Sequence, residues 1–553
     1  MSSSMGFPLV MFIFLFHFLT CNSSIWAQKS EDVTIIINGT TPVSTTDENY
    51  ICATIDWWPD DKCNYNQCPW GSSSVLNLDL SKATLEKAIE AFGPLRIRIG
   101  GSLQDQVLYN VGNLKTPCHP FKKMSGGLFG FSRGCLPMKR WDKVNKFFSK
   151  TGALVTFGLN ALYGRHETKK KGTWGGNWDS SNARDFIKYT ISKGYNIDSW
   201  EFGNELSGSG VGASVGSEQY GKDVIKLKSI IDELYNQSQS KIPILLAPGG
   251  FYDKQWFNKF LQVSGSSVVN AVSHHIYNLG PGVDRKLVNK ILDPNFLSRV
   301  TRTFIDLQQT IRTHGPWSSA WVGEAGGAYN SGGRNISDTF VYSFWYLDQL
   351  GMAAKYNTKV YCRQSLIGGN YGLLDMNTYA PNPDYFSALL WHRLMGKEVL
   401  SVKSIGSPYL RSYAHCSKGN GGITLLLINL SKNTNFTIKL ENLISLSMKN
   451  MTENTRLITR SLKSTFSWVG KKTTSNRPDL REEYHLTPKD GYLRSKTMLL
   501  NGQPLSLRSQ GGGDSPRFSP ALIEVDSPIS IPSLSIKFVQ LPKFDAPCCK
   551  RQV

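Results

Sequence analysis

Between residues 46 and 395, short apolar runs alternate with longer segments whose apolar positions recur every three or four residues. The runs read as buried strands at 50–55, 95–99, 153–159, 243–247, 268–275, 320–324 and 360–364, with one more around Trp200-Glu201-Phe202. Helical stripes lie between them. Leu85, Ala88, Ile89 and Phe92 form one; Tyr220, Val224, Leu227, Ile231 and Leu234 form another; Leu297, Val300, Phe304, Leu307 and Ile311 form a third. A further helix is expected from about residue 337. Eight such alternations predict an α/β chain with a (β/α)8 TIM barrel over 46–395.

Past residue 396 the period changes. Strands at 423–430, 436–440, 484–486, 498–502 and 536–539 are separated by turns, which predicts an all-β sandwich over 396–553. The β-branched run 33–37 precedes the barrel and needs a partner edge, so the segment 28–45 is expected to join that second unit. Residues 1–27 carry one apolar run at 7–16, too short to span a bilayer comfortably, and read as a secretory signal peptide.

Two carboxylates stand out against this frame. Glu205 ends the strand Trp200-Glu201-Phe202 through Gly203-Asn204, and the glycine-rich Ser207-Gly208-Ser209-Gly210 follows. Glu324 ends Trp321-Val322-Gly323 and runs into Gly326-Gly327. Either glutamate alone is an ordinary residue after a strand. At the ends of barrel strands four and seven they converge on one mouth, the arrangement that retaining glycoside hydrolysis needs. Arg98, ending strand two, would keep Glu324 ionised as the nucleophile, while Glu205 stays protonated at rest, and would also serve as a structural ion pair. Tyr277, after His274-His275-Ile276, can donate to the nucleophile, while the histidines are expected in a satisfied buried network.

The net charge of +20 favours an acidic partner such as a polyanionic glycan or a negative surface, or else simply describes a basic solvated exterior. No nucleic-acid motif occurs, and no nucleic-acid partner is expected. Lys169-Lys170-Lys171 is the densest basic run and follows a strand on the Glu205 face. Ten cysteines leave nine after signal removal, so disulfides with one thiol over are expected. Cys63/Cys68 and Cys118/Cys135 are local pairs, and Cys416 with Cys548 or Cys549 would tie down the chain's end. Neither their spacing nor the few histidines suggest zinc, and no metal or cofactor is expected. Sequons at Asn38, Asn236, Asn335, Asn429, Asn435 and Asn450 predict glycosylation. The expected destination is extracellular or cell wall, or a lysosome or vacuole, with peripheral membrane or cell-wall association through the basic surface.

Thr54-Ile55-Asp56, Arg98-Ile99-Gly100-Gly101, Phe157-Gly158-Leu159-Asn160-Ala161-Leu162 and Trp200 to Leu206 resemble the heparanase-like β-glucuronidases of glycoside hydrolase family 79. His274-His275-Ile276-Tyr277, Gly323 to Tyr329, Arg363-Gln364 and Gly369-Asn370-Tyr371 extend the resemblance over the mature chain. The segment between strands two and three lacks the long excised linker of animal heparanase, as in the plant heparanase-like group. The resemblance implies Glu205 as acid/base and Glu324 as nucleophile. Asn204 would bind the 2-hydroxyl, Asp56 other hydroxyls, and Tyr277 would orient Glu324. The Gly369 backbone N–H and the Tyr371 phenol would read the uronate carboxylate. Tyr329 would shape the cleft, with Arg98, His275 and Gln364 in support. The expected function is thus a retaining β-glucuronidase acting on glycans, proteoglycans or small glucuronides. A catalytically silent glycan-binding protein and a retaining glycosidase for neutral sugars are the alternatives.

Overall fold

The structure, a computed structural model, describes residues 29–114, 116–419, 421–443, 479–507, 516 and 518–550. The expected signal peptide and the sequon at Asn450 lie outside these residues. Parallel strands close a barrel in chain order: Ile51–Ile55, Arg96–Ile99, Leu154–Leu159, Ser199–Phe202, Ile244–Phe251, Ala271–Ile276, Ser319–Ala325 and Thr358–Arg363. The first and last strands meet with Cys362 beside Cys52, and a disulfide joins these two residues across the closure. Among the described residues three more link Cys63–Cys68, Cys118–Cys135 and Cys416–Cys549, leaving Cys548 as the thiol over.

The fifth strand runs on to Phe251, the strands Met395–Ile405 and Leu410–Ser417 carry no clear period, and two further differences have a local cause. The sixth strand begins at Ala271, because Asn270 turns its side-chain oxygen to the Leu245 N–H at 2.8 Å. The stripe 297–311 spans two helices, Pro294–Ser298 and Thr301–His314, the first capped by the Asp293 carboxylate. Its apolar face continues across the junction, with Leu297, Phe304 and Leu307 buried.

The all-β unit explains two otherwise odd runs. Lys29–Asn38 pairs antiparallel with Met395–Ile405 and parallel with Thr434–Asn442. Ile423–Asn429 lies between Leu410–Ser417 and Ser535–Leu541, and all seven of its residues are buried. One face, with Leu425 and Leu427, packs on Val33, Ile35 and Ile37; the other, with Leu426 and Ile428, joins the barrel's core. A strand buried on both faces reads as a continuous apolar run instead of an alternating one. For the same reason Phe340–Lys355 is buried along nearly its whole circumference, between barrel and β-unit.

Asn429 corrects one expectation. It is fully buried, and its Nδ2 donates to the carbonyls of Thr434, Ile531 and Pro532. A glycan on that nitrogen cannot coexist with this packing. Asn236 and Asn335 are exposed, and Asn38 and Asn435 are half-buried.

Candidate active site

Glu205 stands just past the fourth strand with φ at +54°, a left-handed conformation that costs a non-glycine residue roughly 1–3 kcal/mol. Neighbouring bonds hold it there. The Glu205 N–H donates to the Gly249 carbonyl at 2.7 Å, and its own carbonyl accepts from Val211 at 3.0 Å. The buried Asp105 carboxylate accepts the N–H groups of Asn204 at 2.8 Å and Ala161 at 2.7 Å. Burial pushes Asp105 up to about 7. Glu324 lies inside the end of strand seven. One oxygen of each glutamate and a ring nitrogen of His275 lie within 4.8 Å of one another.

Arg98 binds three acceptors from the barrel interior: Nε to Glu201 at 2.5 Å, Nη1 to Glu324 at 2.9 Å and Nη2 to the Asn204 amide oxygen at 2.9 Å. It is both the structural ion pair and the cation beside Glu324. Breaking such a buried pair from one side costs about 3–5 kcal/mol. Tyr277 donates to the other Glu324 oxygen at 2.6 Å, and burial beside Glu324 raises its phenol far above the ordinary range, so it stays a donor. His275 Nδ1 faces Glu205 at 3.0 Å. His274 departs from the satisfied network expected for it. Neither of its ring nitrogens has a partner among the described residues, and burial lowers it to about 3, so the ring is neutral. A metal on Glu205, His275 and Glu324 would have to share Glu324 with the Arg98 guanidinium, which disfavours a second cation.

The opposite wall comes from strands one, seven and eight. Asp56 accepts from Trp57 N–H at 2.6 Å and from Gln364 Nε2 at 2.9 Å; burial, then Glu324, raises it to about 7. Gly101 must be glycine: a Cβ there would lie 2.5 Å from an Asp56 oxygen. The Tyr371 ring is held by contact with glycines, since a Cβ on Gly369 or Gly332 would meet it at 2.5 and 2.7 Å. Burial, then Glu324 and Asp56, raises the Tyr371 phenol well above its usual value.

The segment 61–70, pinched by Cys63–Cys68, is stitched onto this wall. Asn64 Nδ2 and Trp70 Nε1 donate to Ser331 Oγ at 2.8 and 2.9 Å, and the Tyr65 hydroxyl accepts from Asn330 Nδ2 at 2.9 Å. The Gly369 N–H, expected to hold a uronate carboxylate, donates instead to the Pro69 carbonyl at 2.8 Å. It is a structural tie of this segment, not a free donor. Close by, Asn330 and Ser331 have φ of +57° and +72°. Neither amide donates to another group among the described residues. Tyr329 is 43% exposed at the rim, and Lys169–Lys171 forms the exposed turn between His166–Glu167 and Thr173–Gly175.

Sequence reasoning passed over Glu201, Asp105 and the 61–70 segment. Glu201 carried a signal, because an acidic residue inside a wholly buried strand must be paired. Asp105 sits in a single turn, Gln104–Gln106, with no periodicity to mark it.

The family model for the N-terminal domain of glycosyl hydrolase family 79 matches residues 32–351. The chain belongs to glycoside hydrolase family 79. It is 60% identical to heparanase-like protein 1 of Arabidopsis thaliana, over 99% of this chain and 100% of that protein. It is 40% identical to the baicalin-β-D-glucuronidase of Scutellaria baicalensis, over 93% of each. Among solved structures, a 4-O-α-L-rhamnosyl-β-D-glucuronidase from Fusarium oxysporum shares the fold. The TM-score is 0.59 at 14% identity, covering 92% of this chain and 100% of that one.

Proposed function

We propose that this family 79 chain is a retaining β-glucuronidase that removes a terminal glucuronic acid from a glycan, a proteoglycan or a small glucuronide. The glucuronide is supported by membership of family 79 and by the 40% identical baicalin-β-D-glucuronidase, and retention by Glu205 and Glu324, which each bring one oxygen within 4.8 Å of the other. Retaining pairs stand about 5–5.5 Å apart, and inverting pairs about 6.5–9.5 Å. Glu324, paired with the Arg98 guanidinium and oriented by Tyr277, attacks the anomeric carbon. Glu205 gives its proton to the departing oxygen. In the second step Glu205 takes a proton from water, the water attacks the same carbon, and Glu324 leaves. Two inversions return the β configuration. Asn204 has its amide oxygen on Arg98, so its Nδ2 is the donor for the 2-hydroxyl. Asp56 accepts from the other hydroxyls.

The Tyr371 phenol and the amides of Asn330 and Ser331 are the donors for the uronate carboxylate. Neutral donors hold an anion there without a buried counter-cation. Strands one and eight stand across the barrel from strand four, where Glu205 faces the leaving group. The stitched 61–70 segment therefore closes the cleft beyond the glycon, which supports exo action on one terminal residue.

The N-terminal apolar run supports secretion, and exposed Asn236 and Asn335 are the foremost glycan acceptors. The basic surface supports attachment to acidic cell-wall material or a negative membrane surface. Among the described residues no helix is long and apolar enough to cross a membrane.

Hydrolysis of nitrophenyl β-glucuronide beside the matching glucoside, xyloside and arabinofuranoside tests the reading. Glucuronide turnover alone is expected. Turnover of a neutral glycoside alone would replace glucuronidase with a neutral-sugar glycosidase, and binding without turnover would make the chain a silent glycan binder.

A further inference from the structure

Phe251 is the last residue of the fifth barrel strand, and it is 39% exposed while Leu245 and Leu246 of the same strand are buried. Singly exposed apolar side chains are ordinary, so its exposure alone says little. Its position says more. The backbone pairs with His275, and the ring centre lies 6.4 Å from the His275 ring and 6.2 Å from the Tyr277 ring. Those two side chains bind the Glu205 and Glu324 carboxylates respectively. The Phe251 carbonyl is fixed by the Ser207 hydroxyl at 2.9 Å. A Cβ on the preceding Gly250 would stand 3.1 Å from Glu205 Cα, so the chain here runs against the Glu205 backbone. Phe251 thus presents an aromatic surface on the Glu205 side of the cleft, with its backbone fixed by Ser207 and one edge of its ring near His275 and Tyr277.

The proton of Glu205 goes to the leaving oxygen, so whatever departs lies on this side. That side is the leaving-group side if the chain is the glucuronidase proposed for it. We propose that Phe251 is the platform on which the aglycone stacks, and that the favoured substrates are β-glucuronides of planar, largely apolar aglycones. An offset-stacked or edge-on ring gains attraction beyond simple burial, and a rigid side chain offers that surface with little ordering cost.

The test uses the full chain with Phe251→Ala and Phe251→Trp, and two substrates that share the glycon. One is 4-methylumbelliferyl β-glucuronide. The other is β-glucuronyl fluoride, whose leaving group has no ring to stack. Phe251→Ala is expected to raise KM for the methylumbelliferyl substrate about tenfold, leave the fluoride within about twofold, and be rescued by Phe251→Trp. Equal losses on both substrates would overturn the proposal, because Phe251 would then only be packing His275 and Tyr277. Unchanged KM on both would overturn it as well. If wild type cleaves neither substrate, the glucuronidase reading fails by itself. Calorimetric binding of free 4-methylumbelliferone then decides the platform: weaker binding by Phe251→Ala supports it, and equal binding rejects it.

Discussion

The two walls of the cleft are built differently. On the wall proposed for the glycon Asp56, Gln364 and Tyr371 are buried, and a disulfide-pinched segment is tied to the neighbouring Asn330, Ser331 and Gly369 by side-chain and backbone hydrogen bonds. On the leaving-group side Phe251 is substantially exposed, and the chain from Ser207 to Gly212 is glycine-rich. Recognition that must reject a near-isostere needs buried polar groups left unpaired by the wrong ligand. A departing group that varies is better met by an open surface. The difference assigns the stricter selection to the sugar and the looser one to what it is attached to.

Removing chemistry from the shared floor should have the largest effect. Glu324→Gln should bring turnover of every glucuronide to background, in steady-state assays with both activated and unactivated leaving groups. Glu205→Gln should lose roughly 10²–10⁴-fold on an alkyl glucuronide, yet form the glycosyl-enzyme from a dinitrophenyl glucuronide at near wild-type rate. Equal losses on both in a pre-steady-state burst assay would reject the assigned roles.

The walls are separated by smaller effects. Tyr371→Phe should lower kcat/KM on the glucuronide by roughly ten- to a hundredfold and leave any weak glucoside activity unchanged. A common factor for the two would mean that Tyr371 only packs the wall. Cys63→Ser with Cys68→Ser should loosen the ties to Asn330 and Ser331. Wild type should leave a glucuronide with a sugar on its 4-hydroxyl intact, and the double variant should gain slow cleavage of it by product chromatography.

The last effect is on stability. Asp56 and Asp105 are each held at about 7, against about 3.8 ordinarily. Between those values the folded chain binds protons that the unfolded chain has lost. The stability contributed by these two protons is present below about 3.8 and lost as pH rises to about 7, at up to about 1.4 kcal/mol per pH unit for each group. Thermal melts should therefore show Asp105→Asn flattening the decline in Tm between pH 5 and 7.5.

Sequence pattern located the barrel, the all-β unit and both glutamates, because strand period, helix period and glycine after a strand are local signals. Cys63–Cys68 and Cys118–Cys135 were legible as short-range pairs. Cys52–Cys362 was not, since the cysteines are 310 residues apart and meet only when the first and last strands close the barrel.

What the sequence determined by itself is the set of side chains able to do the chemistry and the strand ends that carry them. Only the tertiary structure decided how those groups are used. It gave Arg98 a second carboxylate partner in Glu201, turned the Gly369 amide to Pro69 and away from the cleft, and buried the Asn429 acceptor in the β-unit. The reason is physical. A residue's period and neighbours along the chain fix its local conformation. Whether a donor is free, an ion paired or a sequon accessible depends on groups brought in from distant strands.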